Sequence, residues 1–148
     1  MAKSFLLEIV TPEKLFYNGE VEIVIAKTLS GEQGFMADHE CACKLLEAGE
    51  LWFREAESKQ YRLAAISGGF VDVWGDIMVY SDSAEWPDEI DVARAEEARV
   101  REIEWIEEHK DEEKTTHALT AEFEIHEQAL RRAINRKKVA AGGGRQRH

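Results

Sequence analysis

Near residue 85 the chain changes its period, and this break limits its fold more than any single motif does. Up to about residue 82, apolar residues come in short runs that alternate with polar ones; from about residue 90 they recur at every third or fourth position. Punctuation changes with the period. No glycine lies between Gly75 and Gly142, and the last proline is Pro87. A chain of 148 residues divided in this way has room for one ordinary domain with an appendage, or for two very small domains.

The first part offers seven apolar segments: SFLLEIV, KLFYNG, VEIVIAKT, ELWFREAE, QYRLAAIS, GFVDVWG and DIMVYSD. β-Branched and aromatic residues dominate them, and turn signals follow closely at Asn18-Gly19, Ser30-Gly31, Ala48-Gly49, Gly68-Gly69 and Gly75-Asp76. Many short strands at such spacing predict an antiparallel sandwich or barrel, and we read residues 1–84 as an all-β sandwich. In the second part Ala, Glu, Arg and Ile prevail, residues that lose little on entering a helix. The pattern predicts one helix from Asp88 or Asp91 to His109 and a second from Thr116 to Lys138, with 110–114 as the turn: an antiparallel helical hairpin over residues 88–139. Its apolar stripes are thin: Val92, Ala95, Ala98 or Arg99, Ile103 and Ile106 on the first helix, and Leu119, Phe123, His126, Leu130, Ala133 and Ile134 on the second. Helices so weakly anchored can move, and residues 140–148, with three glycines in a row, read as a flexible tail.

Charge removes several functions. Thirty acidic side chains against nineteen Lys and Arg give a net charge of -11, which opposes nucleic acid as a partner because phosphate contacts need concentrated cations. No apolar run approaches the roughly 18 residues of a membrane-spanning helix, so direct membrane insertion is not expected. The N-terminus lacks a cleavable signal, and the only cysteines, Cys41 and Cys43, are too close for a structural staple; both point to a cytosolic-side, reducing setting.

Five stretches, Val10-Thr11-Pro12-Glu13, Val21-Glu22, Ser30-Gly31-Glu32-Gln33-Gly34, Ser67-Gly68-Gly69-Phe70-Val71-Asp72-Val73 and Ile90-Asp91-Val92-Ala93-Arg94-Ala95, resemble in order and spacing the epsilon subunits of F-type ATP synthases. The resemblance implies a non-catalytic rotor (central-stalk) subunit that couples proton-driven rotation to ATP synthesis. It implies a sandwich bound to the gamma subunit and resting on the c-subunit ring, and a hairpin that regulates ATP hydrolysis by folding down or extending toward the catalytic beta and alpha subunits. Such a complex lies at the cytoplasmic face of a bacterial inner membrane, with this subunit peripheral. The chain departs from the family at Ala37 to Ala42, where a Pro-Gly turn and an Ala-Pro-Leu segment are replaced. The leading Gly31-Glu32 and His39 remain, and the resemblance assigns c-ring contact to Glu32 and His39.

The resemblance also implies an ATP-sensing site of Glu85, Asp91, Arg94, Arg132 and Arg136. Guanidinium forks suit phosphate oxygens, and a carboxylate can accept from ribose or adenine. The bland alternative is that an Asp caps the first helix and Arg94 faces solvent or pairs with Glu97. No cofactor is required; ATP enters only as a regulatory ligand, and no glycine-rich phosphate loop offers a catalytic nucleotide site. The basic run Arg131, Arg132, Arg136, Lys137, Lys138 is favoured by the dipole at a helix C-terminus and, through the resemblance, is the surface that docks on an acidic segment of the beta subunit. Two other classes compete: a free-standing ATP-sensing module, and a small metal or thiol protein using His39, Cys41 and Cys43, whose alternation places three ligands on one strand face but supplies no fourth. Buried cysteines acting as small apolar side chains are the plainer reading. Trp52, Trp74, Trp86 and Trp105 read as core or interface aromatics.

Overall fold

The computed structural model describes residues 3–112 and 116–144. Seven strands among them, β1 (Phe5–Val10), β2 (Leu15–Thr28), β3 (Gly31–Met36), β4 (Ala42–Glu55), β5 (Tyr61–Trp74), β6 (Asp76–Ser81) and β7 (Ala84–Glu85), precede a short 3-10 turn at Pro87–Glu89 and two helices, α1 (Val92–His109) and α2 (His117–Ala140). The sheet runs β1-β6-β5-β4-β2-β3, and β1 also pairs antiparallel with β2, so it folds back on itself into a sandwich. The β1–β6 contact is the one parallel pairing among the described strands. Phe5, Leu7, Ile9, Val21, Val24, Phe35, Leu51, Phe53, Ala64, Ile66, Val71, Val73, Ile77 and Val79 fill the inside. At roughly 1.5–3 kcal/mol for each fully buried large side chain, this core is the main source of stability.

The turn signals mislead in the long strands. Asn18-Gly19, Ala48-Gly49 and Gly68-Gly69 lie inside β2, β4 and β5, each 14 residues long, so five of the seven short segments are parts of three long strands. In β5 glycine bends the strand rather than reversing it: Gly68 and Gly69 take positive φ as β5 passes Leu46 and Tyr80. Ser30-Gly31 and Gly75-Asp76 are true reversals. A bulge at Val21/Ile23 breaks the alternation of β2 and turns Glu22 inward, 3% exposed, where Arg54 at 3.1 Å and Lys59 neutralise it. Those partners hold the Glu22 carboxyl below the usual range, the Lys59 hydrogen bond most strongly.

Asp91 caps α1, its carboxylate accepting from the Arg94 N–H at 3.1 Å, and Thr116 caps α2 by accepting from Leu119 at 3.1 Å. Part of the expected turn, residues 113–115, lies outside the described residues, as do 145–148 of the expected tail. The described part of that tail is positioned. Gly142 N–H donates to Val139 O at 2.9 Å and Gly143 N–H to Lys138 O at 2.8 Å, the Schellman closure of a helix. The hairpin lies folded against the sandwich: Ile90 and Val139 join Ile25, Trp52, Leu63 and Ala65 in a second apolar cluster on the outer face of β2, β4 and β5. Ile134, expected on the buried face of α2, is 46% exposed, and Asn135 takes the inward place. No helix among the described residues is long and apolar enough to cross a membrane.

Candidate functional site

α2 ends with five cations within eight residues, and the fold answers three of them with carboxylates. Arg136 forms a two-pronged pair with Glu85, Nε to Oε1 at 2.7 Å and Nη2 to Oε2 at 3.0 Å. That partner raises the Arg136 pKa further. Lys137 bonds Glu96 of α1, and Arg99 bonds the same carboxylate at 2.6 and 2.8 Å; led by Arg99, the two cations lower the Glu96 pKa to about 2. Lys138 reaches Glu50 of β4 at 3.5 Å. Arg131 and Arg132 stay exposed.

A groove of about 330 Å³ opens between α1, α2 and the edge after β6, lined by Ser83, Glu85, Ala98, Arg101, Glu102, Ala129, Arg132, Ala133 and Arg136. Glu85, Arg132 and Arg136 of the sequence constellation meet there. Asp91 stands close enough to Arg136 to act on it electrostatically, but its carboxylate is engaged as the helix cap. Arg94 is exposed and lines none of the described grooves.

Glu32 sits in β3 opposite Lys27, not in a turn, and lines a groove of about 390 Å³ with Arg131, Ile134, Asn135 and Lys138. His39 follows the other end of β3, so the fold does not bring the two together. Its ring packs tilted against Phe35 at 4.9 Å, Nδ1–H donates to Glu40 O at 2.8 Å, and Nε2 faces the Gln33 amide at 3.4 Å. Cys41 and Cys43 are exposed, which corrects the reading of them as buried apolar side chains. Among the described residues no three His, Cys, Asp or Glu side chains converge as a metal site.

Three features carried no clear signal in the sequence. One is the outer face of β1, β6, β5 and β4: Leu6 and Val10, Met78 and Tyr80, Phe70 and Trp74, and Leu45 share it by register, with Phe70 and Tyr80 stacked at 5.4 Å. The described residues leave it uncovered, Trp74 78% and Leu45 62% exposed. Strand alternation marks these residues as facing away from the core but cannot say that they face a partner. The second is Glu50, reached by donors from α2. The third is the hairpin seam, where Trp105 lies between His126 at 3.7 Å and His109 at 4.1 Å, both rings within 13° of parallel, and His126 Nδ1–H donates to Glu102, 7% exposed.

Comparison with known proteins accounts for this combination. The family described as "ATP synthase, Delta/Epsilon chain, beta-sandwich domain" matches residues 4–87. The ATP synthase epsilon chain of Caldanaerobacter subterraneus subsp. tengcongensis is 38% identical over 143 residues, 95% of this chain and 96% of that one. That of Ruminococcus albus is 41% identical over 140 residues, 92% and 96% of the two chains. Among solved structures, a chain of the Euglena gracilis mitochondrial ATP synthase superposes with a TM-score of 0.66 over 87% of this chain and 78% of its own, at 22% identity. A chain of the Tetrahymena thermophila mitochondrial ATP synthase central stalk and c-ring structure gives 0.58 over 92% and 98%, at 15% identity.

Proposed function

This chain belongs to the ATP synthase delta/epsilon family as a non-catalytic epsilon subunit, and from that premise we propose that its sandwich docks on the gamma subunit through the outer face of β1, β6, β5 and β4. One observation carries this: an apolar face of Val10, Tyr80, Phe70, Leu45 and Trp74, crossed by the row Glu8–Met78–Asp72 and with an indole 78% exposed at its edge, is costly in water and suited to a stable interface. The β3 side, with Glu32 and His39, rests on the c ring, and the subunit stays peripheral at the cytoplasmic face of the membrane. Trp74→Glu and Leu45→Glu should each weaken binding of purified gamma at least tenfold while leaving thermal unfolding of the isolated chain unchanged, since neither side chain reaches the core. Full affinity in both variants would place the gamma contact elsewhere.

The hairpin is the regulatory arm. In the folded position Arg136 and Lys138 are held by Glu85 and Glu50 of the sandwich side, so two of the cations that would dock an extended hairpin on an acidic beta-subunit segment are occupied. Folding down and docking on the catalytic head therefore compete for the same charges. ATP is the ligand that favours the folded state, with Arg101 and Arg132 supplying donors for phosphate beside the Glu85-bound Arg136, where the hairpin meets β7. Calorimetry of the isolated chain should show ATP binding that Arg132→Ala weakens by about 1–2 kcal/mol, one lost charge-assisted contact. Absence of binding at millimolar ATP would remove the ligand and leave the rotor assignment intact.

A further inference from the structure

We infer that Glu50, in the middle of β4, is the catch for the end of α2 and that the glycine turn after the helix is shaped to reach it. Its two oxygens divide the work. Oε2 accepts from Trp52 Nε1–H at 2.8 Å, a neighbour on the same strand that fixes the carboxylate's orientation. Oε1 faces α2, accepting from the Gly144 backbone N–H at 2.7 Å, with Lys138 Nζ 3.5 Å away. One residue earlier, Gly49 O accepts from the buried Asn135 Nδ2 at 2.9 Å. The side chain of Glu50 is 15% exposed, which leaves water little room to replace donors that depart.

The turn is built for this approach. The Schellman closure sends the chain back with Gly142 and Gly143 at positive φ, and at Gly143 a Cβ would stand 2.9 Å from Trp52 Cζ2 and 3.2 Å from Leu63 Cδ2. Only a bare backbone passes over the indole to deliver the Gly144 N–H. The other ion pairs of α2 are placed differently. Lys137–Glu96 joins α2 to α1 and travels with the hairpin, and Glu85 belongs to the two-residue strand that leads into the linker. Glu50 is held in mid-sheet by β5, opposite Ala65, so it is a fixed point against which α2 is either seated or not.

The electrostatics agree in sign. Burial works to raise the Glu50 pKa, but hydrogen bonds from Trp52 and Gly144 and the Lys138 charge outweigh it and hold the carboxyl below its usual range. The contact is therefore complete above the ordinary carboxylate range and fades as pH falls through the lowered value. The catch deepens the proposed regulatory reading, which supplies the consequence of release, but its geometry stands without that reading.

The test uses the full-length isolated chain, with no gamma, c ring or nucleotide present, so its failure is separate from failure of the rotor assignment. Amide hydrogen exchange is followed by mass spectrometry. Glu50→Ala should speed exchange across residues 135–144 about tenfold while the strand amides of β1 and β6 keep their protection. Glu50→Gln, which can still accept from Gly144, should give a smaller change. Lys138→Met should also speed exchange there, and combined with Glu50→Ala it should add nothing, since both cut the same contact. Unchanged exchange over 135–144 in Glu50→Ala, or full additivity of the pair, overturns the proposal. If Glu50→Ala disturbs the strands as well, Glu50→Gln and Lys138→Met decide it: no acceleration in either overturns it too.

Discussion

Gly69→Ala is expected to cost the sandwich about 2–6 kcal/mol, a large share of the roughly 5–15 kcal/mol by which an ordinary domain is stable. The residue takes φ of 138°, a conformation L side chains avoid, and an added Cβ would lie 1.9 Å from Tyr80 O, 2.8 Å from Tyr80 C and 2.9 Å from Ser81 Cα. All three atoms are backbone of β6, whose pairing with β5 continues from Gly69↔Ser81 to Trp74↔Asp76. No rotamer change relieves such a clash; either β6 moves off β5 or the bend is lost, and the core side chains Ile77 and Val79 move with it. Gly68→Ala separates the two contributions. Its φ is 107°, but the nearest atom to its Cβ would be Leu46 O at 3.3 Å, so strain dominates and the loss should be nearer 1–3 kcal/mol. Urea denaturation of both variants measures the difference. A Gly69→Ala protein within 1 kcal/mol of the parent would show that β5 and β6 are not so closely joined.

The two halves of the fold were legible because period alone separates them, and helix ends because capping chemistry is local: Asp91 and Thr116 stand where a cap is needed. What the sequence hid has physical causes. Asn18-Gly19 and Gly68-Gly69 carry the chemistry of turns, yet both lie inside long strands, where the φ freedom of Gly68 and Gly69 bends β5 around the sandwich, and only partner strands decide between turn and strand. β3 is hidden in the sequence because Gly31–Met36 holds two glycines and a single buried aromatic, Phe35, so it lacks a strand's apolar signature. On α2, counting hydrophobicity chose Ile134, whereas the sandwich selects Asn135 and Val139, four residues apart, because a backbone carbonyl at Gly49 awaits a donor. Of the site, Glu85, Arg132 and Arg136 converge, and Asp91 and Arg94 do not line their groove. Glu50 could not be found from sequence: its partners lie 88 and 94 residues away, and a single Glu in a strand looks like any solvated carboxylate.

His126→Phe should destabilise the hairpin by about 2–3 kcal/mol while leaving the sandwich untouched. A phenyl ring can keep the stack on Trp105 but has no N–H, so the substitution isolates the bond to Glu102. That carboxylate is 7% exposed, and its other cation, Arg101, stands 3.7 Å away with a side chain 69% exposed. The arginine softens the loss without removing it, because a guanidinium in water cannot fill the place of a donor packed between helices. Most of the cost is the stranded charge rather than the value of the bond, and this has a further consequence. Glu102→Leu added to His126→Phe should recover much of the loss, since an apolar pair of similar volume needs no partner, whereas Glu102→Leu alone should strand the imidazole and weaken the seam. Such a seam explains why the apolar stripes are thin: α1 and α2 are joined by Glu102, His126 and Trp105 where a permanent bundle would place leucines, and polar contacts can be exchanged for water when a hairpin must open. Helical ellipticity followed during thermal unfolding, with amide exchange across 102–109 and 123–130 to assign the change, makes the measurement. Equal protection in His126→Phe and the parent, with no recovery from Glu102→Leu, would mean that packing of Phe123, Trp105 and Ala133 holds the helices together and that the buried pair contributes little.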